Sequence, residues 1–200
     1  MFIIGLTGGI GTGKSTVSNY LEGKGCLILD ADKISRQMTE KGQPALEEIG
    51  RIFGFHLIKE DGNLDRQALG NIVFNDKEKL DILQSIITQN VVENINNRLI
   101  ELKNDDTKGI VVIDAPLLFE CGMEGLADEN WLVSASLDVR LERVKKRDGL
   151  SEDEILSRIN NQMSQEDKEK LSQVILDNST TLDELYRQID INLDRVKKEF

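Results

Sequence analysis

The sequence predicts a three-layer α/β fold, a parallel sheet of five strands flanked by helices, carrying a helical insert and a helical lid. Three observations predict it. Gly8-Gly-Ile-Gly-Thr-Gly-Lys-Ser15 matches G-x-x-x-x-G-K-[ST] at every defined position, between an apolar run and a helical one. Four more short apolar runs follow, and those ending at Asp30, Asp114 and Asp177 close on an acid. Helical stretches separate the runs, which is the alternation that builds a parallel sheet.

The 200 residues suit one domain with an inserted subdomain. We expect a core of about 1–42, 104–136 and 172–200, a helical acceptor-binding insert of about 43–103, and a lid of about 137–171. No apolar run reaches the roughly 18 residues of a membrane span, and the N-terminus leads straight into a strand. Cys26 and Cys121 show no CxxC or metal spacing, so a reduced, cytoplasmic protein is expected. The net charge of −11 argues against broad nucleic-acid binding, which needs cations against phosphates. His56 is the only histidine and sits beside a glycine and hydrophobic residues, so the general base is expected to be a carboxylate.

Phe2-Ile-Ile-Gly-Leu-Thr7 is the first buried strand and Ser15 to Leu21 the first helix. The glycines of the loop between them, Gly8, Gly9, Gly11 and Gly13, let backbone N–H groups turn inward around phosphate oxygens. The helix start adds positive potential. Lys14 has the reach for β- and γ-phosphates, and the Ser15 hydroxyl can ligate Mg²⁺. Gly25 to Asp30 is the second strand, and Lys33 to Glu40 is helical. Acids at the carboxyl end of such a strand flank the ligand crevice. Of Asp30 and Asp32, one can cap the helix while the other performs chemistry; Asp32 is the favoured chemical group.

From about Gln43 to Lys103 the strand signals stop. Pro44 to Phe53 has helical spacing, Asp61-Gly62 marks a tight turn between Ile58 and Leu64, and Arg66 to Phe74 is helical. Leu80, Leu83, Ile87, Val91, Ile95, Leu99 and Leu102 then form a stripe at helical spacing. Gly109 to Asp114 is the third strand, its terminal acid placed as a Walker-B aspartate is, to orient Mg²⁺ or its waters. Trp131 to Ala135 is the fourth strand. Leu137 to Asp148 is a helix bearing Arg140, Arg143, Lys145, Lys146 and Arg147. On an acidic chain that cluster is either a solvated face or a cationic lid over a transferring phosphoryl group. Ser151-Glu-Asp-Glu154 and Thr181-Leu-Asp-Glu184 read as capping boxes opening further helices, and Val174 to Leu176 is the fifth strand.

A phosphate loop alone fits a small-molecule kinase, a GTPase or an ATP-driven motor. No Asn-Lys-x-Asp guanine-reading motif is present, and the chain is short for a motor with coupling elements. The insert and the arginine-bearing lid favour a kinase with a small acceptor. The rivals are a kinase for another metabolite and a nucleotide-dependent binding protein.

Gly5 to Thr16, Asp30-Ala-Asp-Lys-Ile-Ser-Arg36, Pro116-Leu-Leu-Phe-Glu120, Arg143 with Arg147-Asp-Gly-Leu150, Arg158 with Gln162-Met163, and Asp177-Asn178 together resemble the dephospho-coenzyme A kinases. The resemblance covers nearly the whole chain. It implies transfer of the ATP γ-phosphoryl group to the ribose 3′-hydroxyl of dephospho-coenzyme A, the last step of coenzyme A synthesis. It implies Asp32, Lys14, Arg143 and Arg147 as catalytic. ATP would lie on Gly8, Gly9, Gly11, Thr12, Gly13, Lys14, Ser15 and Thr16, with Asn178 near the adenine. Asp30, Arg36, Arg66, Leu117 and Glu120 would serve the acceptor, and Ser15, Asp32 and Asp114 the Mg²⁺. The partners implied are small molecules, with no nucleic acid or membrane, on a monomer or weak homo-oligomer. The chain departs from the family pattern at Thr88-Gln89, Arg140 and Ser172-Gln173.

Overall fold

Five short apolar strands pair side by side in a computed structural model that describes residues 1–74 and 76–198. They are β1 (Phe2–Gly8), β2 (Leu27–Asp30), β3 (Ile110–Asp114), β4 (Glu129–Ser134) and β5 (Val174–Asp177). Their order across the parallel sheet is β2-β3-β1-β4-β5. Parallel strands buried on both faces read as continuous apolar runs. Thus β3 is buried at all five positions, and β1 at every position after Phe2. The register sets Leu6 against Asp114 on one side and against Trp131 on the other.

The chain falls into two compact units, Met1–Leu29 with Lys103–Phe200, and Asp30–Leu102. In the first unit, α1 (Lys14–Gly23) and α9 (Leu182–Val196) cover one face of the sheet. Val17 and Leu21 of α1 and Leu185, Ile189 and Leu193 of α9 pack with Ile4, Leu6, Val112, Trp131 and Leu176. Trp131 is fully enclosed, and its indole N–H donates to Glu129 Oε2 at 3.1 Å, as a buried indole requires. The same carboxylate receives the guanidinium of Arg195, bonds of 2.6 and 2.7 Å that tie the end of α9 to the start of β4. Tyr20 and Tyr186 stack at 4.1 Å between α1 and α9.

After β4 come α6 (Leu137–Asp148), α7 (Glu152–Asn160) and α8 (Gln165–Leu171). Gly149 ends α6 in the left-handed region (φ 69°), the usual helix stop. The expected capping box opens α7 in full: Ser151 accepts from Glu154 N, and the Glu154 carboxylate accepts from Ser151 N. The second box forms by half, since the Glu184 carboxylate pairs with Arg187 instead. The segment Gln165-Glu-Asp-Lys-Glu-Lys-Leu171 carried no apolar stripe, yet it folds as α8.

The second unit is helical: α2 (Ala31–Met38), α3 (Pro44–Phe53), α4 (Arg66–Val73) and most of α5 (Lys77–Asn104). It begins at Asp30 and ends at Leu102. Pro44 opens α3, where its missing N–H would have been unbonded in any case. The Asp61-Gly62 turn forms, with Ile58 and Leu64 bridged and Gly62 at φ 85°. The long stripe is one continuous helix in which Val91, Ile95, Leu99 and Leu102 are buried. Nearer its start Ile86, rather than the expected Ile87, turns inward.

Candidate active site

The phosphate loop leaves β1 at Gly8 and enters α1 at Lys14. Two turns of the backbone require glycine: Gly11 at φ 80° and Gly13 at φ 89°. Thr12 folds back inside the loop, its N–H and hydroxyl both donating to Gly9 O at 3.2 and 2.9 Å. Gly13 is the N-cap of α1 and supplies no side chain to satisfy the first helical N–H groups. An anion is the natural partner for such a helix start. Ser15 lies exposed in the first turn and Thr16 is half-buried beside it.

Lys14 closes on Asp114, and the two form an ion pair with little exposure. Because Asp114 is the last residue of β3 and pairs in register with Leu6, the sheet itself delivers this carboxylate to the loop. Hydroxyl and carboxylate oxygens are the donors a hard divalent cation takes, so Ser15 and Asp114 fit magnesium by chemistry. Among the described residues, no cluster of three or more His, Cys, Asp or Glu forms a resident metal site.

Asn178 is buried just beyond β5 and donates from Nδ2 to Thr12 O at 2.8 Å. A side chain at position 13 would strike that amide, a second reason for glycine there. The Oδ1 of Asn178 accepts a long 3.5 Å bond from Arg143 Nη2, while Arg143 Nη1 is buried without a partner among the described residues. An enclosed guanidinium N–H with nothing to bond is a standing site for an anionic oxygen. Arg147, in contrast, lies out on the surface, where its fork grips Asp148 at 2.7 and 2.8 Å. That carboxylate raises the Arg147 pKa above its ordinary value.

Three expected acceptor residues, Glu120, Asp30 and Arg66, have structural partners. Glu120 takes the ammonium of Lys168 at 3.0 Å and the N–H of Met163 at 3.0 Å. Lys168 is almost wholly buried and also donates to Pro116 O at 2.9 Å. Leu117, between them in sequence, is exposed. In the second unit, Asp30 is the N-cap of α2, accepting from Lys33 N at 2.9 Å, so the helix starts earlier than expected. Asp32 then stands exposed in the first turn of α2, and Arg36 is exposed in its last. Arg66 donates to Thr39 Oγ1 at 2.7 Å.

Sequence reasoning missed Arg140 as a buried group. It was read with the basic cluster of α6, yet it is 6% exposed and donates from Nε to Ile10 O at 2.9 Å. Its position one turn before Val144, the other buried residue of α6, was the available signal. A cavity of about 490 Å³ opens alongside, lined by Gly9, Leu132, Arg140, Gln162, Gln165 and Lys168 among others.

The dephospho-CoA kinase family model matches residues 2–184. The chain belongs to the dephospho-CoA kinase family. A Carboxydothermus hydrogenoformans dephospho-CoA kinase is 44% identical over 94% of this chain and 90% of its own. That of Moorella thermoacetica is 46% identical over 80% and 75%. Among solved structures, a Thermus thermophilus protein superposes with TM-score 0.78 at 36% identity, covering 97% of both chains. The dephospho-CoA kinase of Campylobacter jejuni superposes with TM-score 0.74 at 26% identity, over 98% of both. A Bacteroides thetaiotaomicron shikimate kinase, 12% identical with TM-score 0.54, shares the fold alone. This dephospho-CoA kinase family member is therefore a P-loop kinase by fold as well as by motif.

Proposed function

We propose that this chain transfers the γ-phosphoryl group of ATP to the ribose 3′-hydroxyl of dephospho-coenzyme A, giving coenzyme A and ADP. The phosphate loop carries this reading: an uncapped helix start, two left-handed glycines and a lysine held on a strand-end carboxylate.

Phosphoryl transfer needs positioning and charge neutralisation more than covalent help from the protein. Loop N–H groups and the start of α1 hold the β- and γ-phosphates. Lys14 exchanges Asp114 for a phosphate oxygen when nucleotide enters. Ser15, Asp32 and Asp114 would hold Mg²⁺, which would neutralise charge on the transferring phosphoryl group. Arg143 meets phosphate with the N–H that is otherwise unbonded, and Arg147 exchanges the exposed Asp148 for the same charge. Asn178 fixes the loop from the side on which the adenine would lie. Asp32, in the Asp30-Ala-Asp32 motif, takes the proton of the attacking hydroxyl. Asp30, Arg36, Arg66, Leu117 and Glu120 keep their part in acceptor binding as proposals, Asp30 and Glu120 through the shape of the segments they cap and brace. Cys26 and Cys121, both thiols, fit the cytoplasm as the setting.

The test is ADP release from Mg-ATP with and without dephospho-coenzyme A, with the product identified by mass and its phosphate position mapped. Acceptor-dependent ADP with one added phosphate on the 3′-oxygen is the expected result. ATP binding with no stimulation by this acceptor would overturn the substrate assignment and call for other hydroxyl acceptors.

A further inference from the structure

Ile10 is the apex of the phosphate loop, and both of its backbone polar groups are held by side chains from the segment that follows β4, Arg140 on α6 and Gln162 in the turn between α7 and α8. Its carbonyl accepts from Arg140 Nε at 2.9 Å, and its N–H donates to Gln162 Oε1 at 3.1 Å. Arg140 Nη1 is braced in turn by Gln165 Oε1 at 3.3 Å. The packing leaves no slack. A Cβ at Gly9 would stand 2.8 Å from Arg140 Nη2, and one at Gly11 2.8 Å from Arg140 O.

The position of these bonds gives them a consequence. In a trans peptide the C=O and N–H point in opposite directions. With Ile10 O fixed toward Arg140, the N–H of Gly11 faces away, into the loop. With Ile10 N fixed toward Gln162, Gly9 O also faces inward, where Thr12 holds it. Glycine on both sides makes rotation of these peptides cheap, so the loop's own sequence does not fix their sense. A reversed Ile10–Gly11 peptide would present a carbonyl oxygen where an anion needs a donor.

We propose that Arg140 is a positioning residue that, with Gln162, locks the apical peptides of the phosphate loop in their anion-binding sense. The proposal rests on the loop's binding the phosphates of ATP. It also explains a buried guanidinium that, among the described residues, bonds only to neutral oxygens, while burial lowers its pKa. Burying a charge that bonds no opposite charge costs desolvation, so an apolar side chain in its place should not lower stability. Function and stability therefore separate at this residue.

The experiment compares wild type, Arg140→Met, Arg140→Gln and Gln162→Leu, reading ATP affinity by calorimetry, Tm by scanning calorimetry and the Gly11 amide resonance in nucleotide-free protein. Arg140→Met should weaken ATP binding roughly tenfold or more, the size of one hydrogen bond from a charged donor. Its Tm should hold or rise, and its Gly11 amide should broaden or shift. Arg140→Gln, whose amide can still donate to Ile10 O, should recover part of the affinity, and Gln162→Leu should move the same amide. Unchanged ATP affinity in Arg140→Met would overturn the proposal. So would a loss that follows a fallen Tm with no recovery in Arg140→Gln. Lys14→Ala separates the two readings. If it abolishes ATP binding while Arg140→Met does not, only the positioning role falls; if folded wild type binds no ATP, the loop's function falls and takes this role with it.

Discussion

Aspartates thirty-two and thirty differ by two positions and by everything that follows from a helix start. Asp30 spends its carboxylate on the N–H of Lys33, whereas Asp32 is carried on the exposed first turn of α2. The Asp-Ala-Asp pattern left open which of the pair could cap, and the choice between them is settled by where α2 begins, at Ala31. Asp32→Asn should leave ATP affinity within about threefold of wild type and lower kcat by a factor of about 10² to 10⁴, the range of a lost general base. Single-turnover kinetics with the acceptor present would check it, and near-normal turnover would remove Asp32 from the mechanism. Other residues were illegible for a physical reason. Lys168 lies in a run of charges that reads as a solvated face, and its burial depends on Glu120 and Pro116, far off in sequence. Arg140 was hidden in the same way, because five basic residues on one helix give no sign of which one faces inward.

At the scale of elements, periodicity was a sound guide where a helix has one clear apolar stripe. The twenty-eight-residue α5 was visible for that reason, as was α9, although its first stripe residue, Leu182, stays half exposed. Strand starts were less legible: β4 begins at Glu129, a charged residue that strand patterning excludes but that pairs with Arg195 and Trp131. α8 was invisible because a short helix of polar residues has no stripe; side-chain bonds hold it instead. Gln165 donates to Ser134 Oγ at 2.7 Å, and Lys168 reaches Glu120 in the segment after β3. Lys168 is buried and Glu120 is not, so removing Glu120 leaves the ammonium with Pro116 O alone, at about 1–3 kcal/mol for a buried polar group short of a partner. Glu120→Ala should lose stability on that order, read by urea unfolding, and Glu120→Gln, which keeps an acceptor, should lose less. Equal, negligible losses would show that the pair does not anchor α8.

For the whole molecule, a five-stranded parallel sheet and the phosphate loop were legible in five apolar runs and one motif, while the order of the strands across the sheet was not. The helical unit takes in α2 because the chain leaves the sheet at Asp30, and no change of composition marks that point. The tie between α9 and β4 links stability to pH. The Arg195 guanidinium, and then the Trp131 N–H, hold the Glu129 carboxyl below its ordinary 4.5. A carboxylate whose pKa is lowered on folding stabilises the protein above its unfolded pKa and loses that contribution as pH falls through the folded value. Unfolding free energy should therefore decline below about pH 4.5. Glu129→Gln should show a shallower decline over that acid window, measured by urea titration at several pH values. An identical slope would mean that the tie contributes nothing.

Trp131 is the only tryptophan in the chain, and Tyr20 and Tyr186 are the only tyrosines. All three sit in the unit built on the sheet, and none lies between Asp30 and Leu102. Tryptophan and tyrosine absorption and emission thus belong to the sheet unit, the helical unit holding only Phe53, Phe55 and Phe74 as aromatics, while the peptide signal of the far ultraviolet is shared by both. The helical unit is dark to the first kind of light and bright to the second. Melting of the helical unit by itself would therefore show in circular dichroism without moving the tryptophan signal, an optical label that helps to sort the two units without a dye.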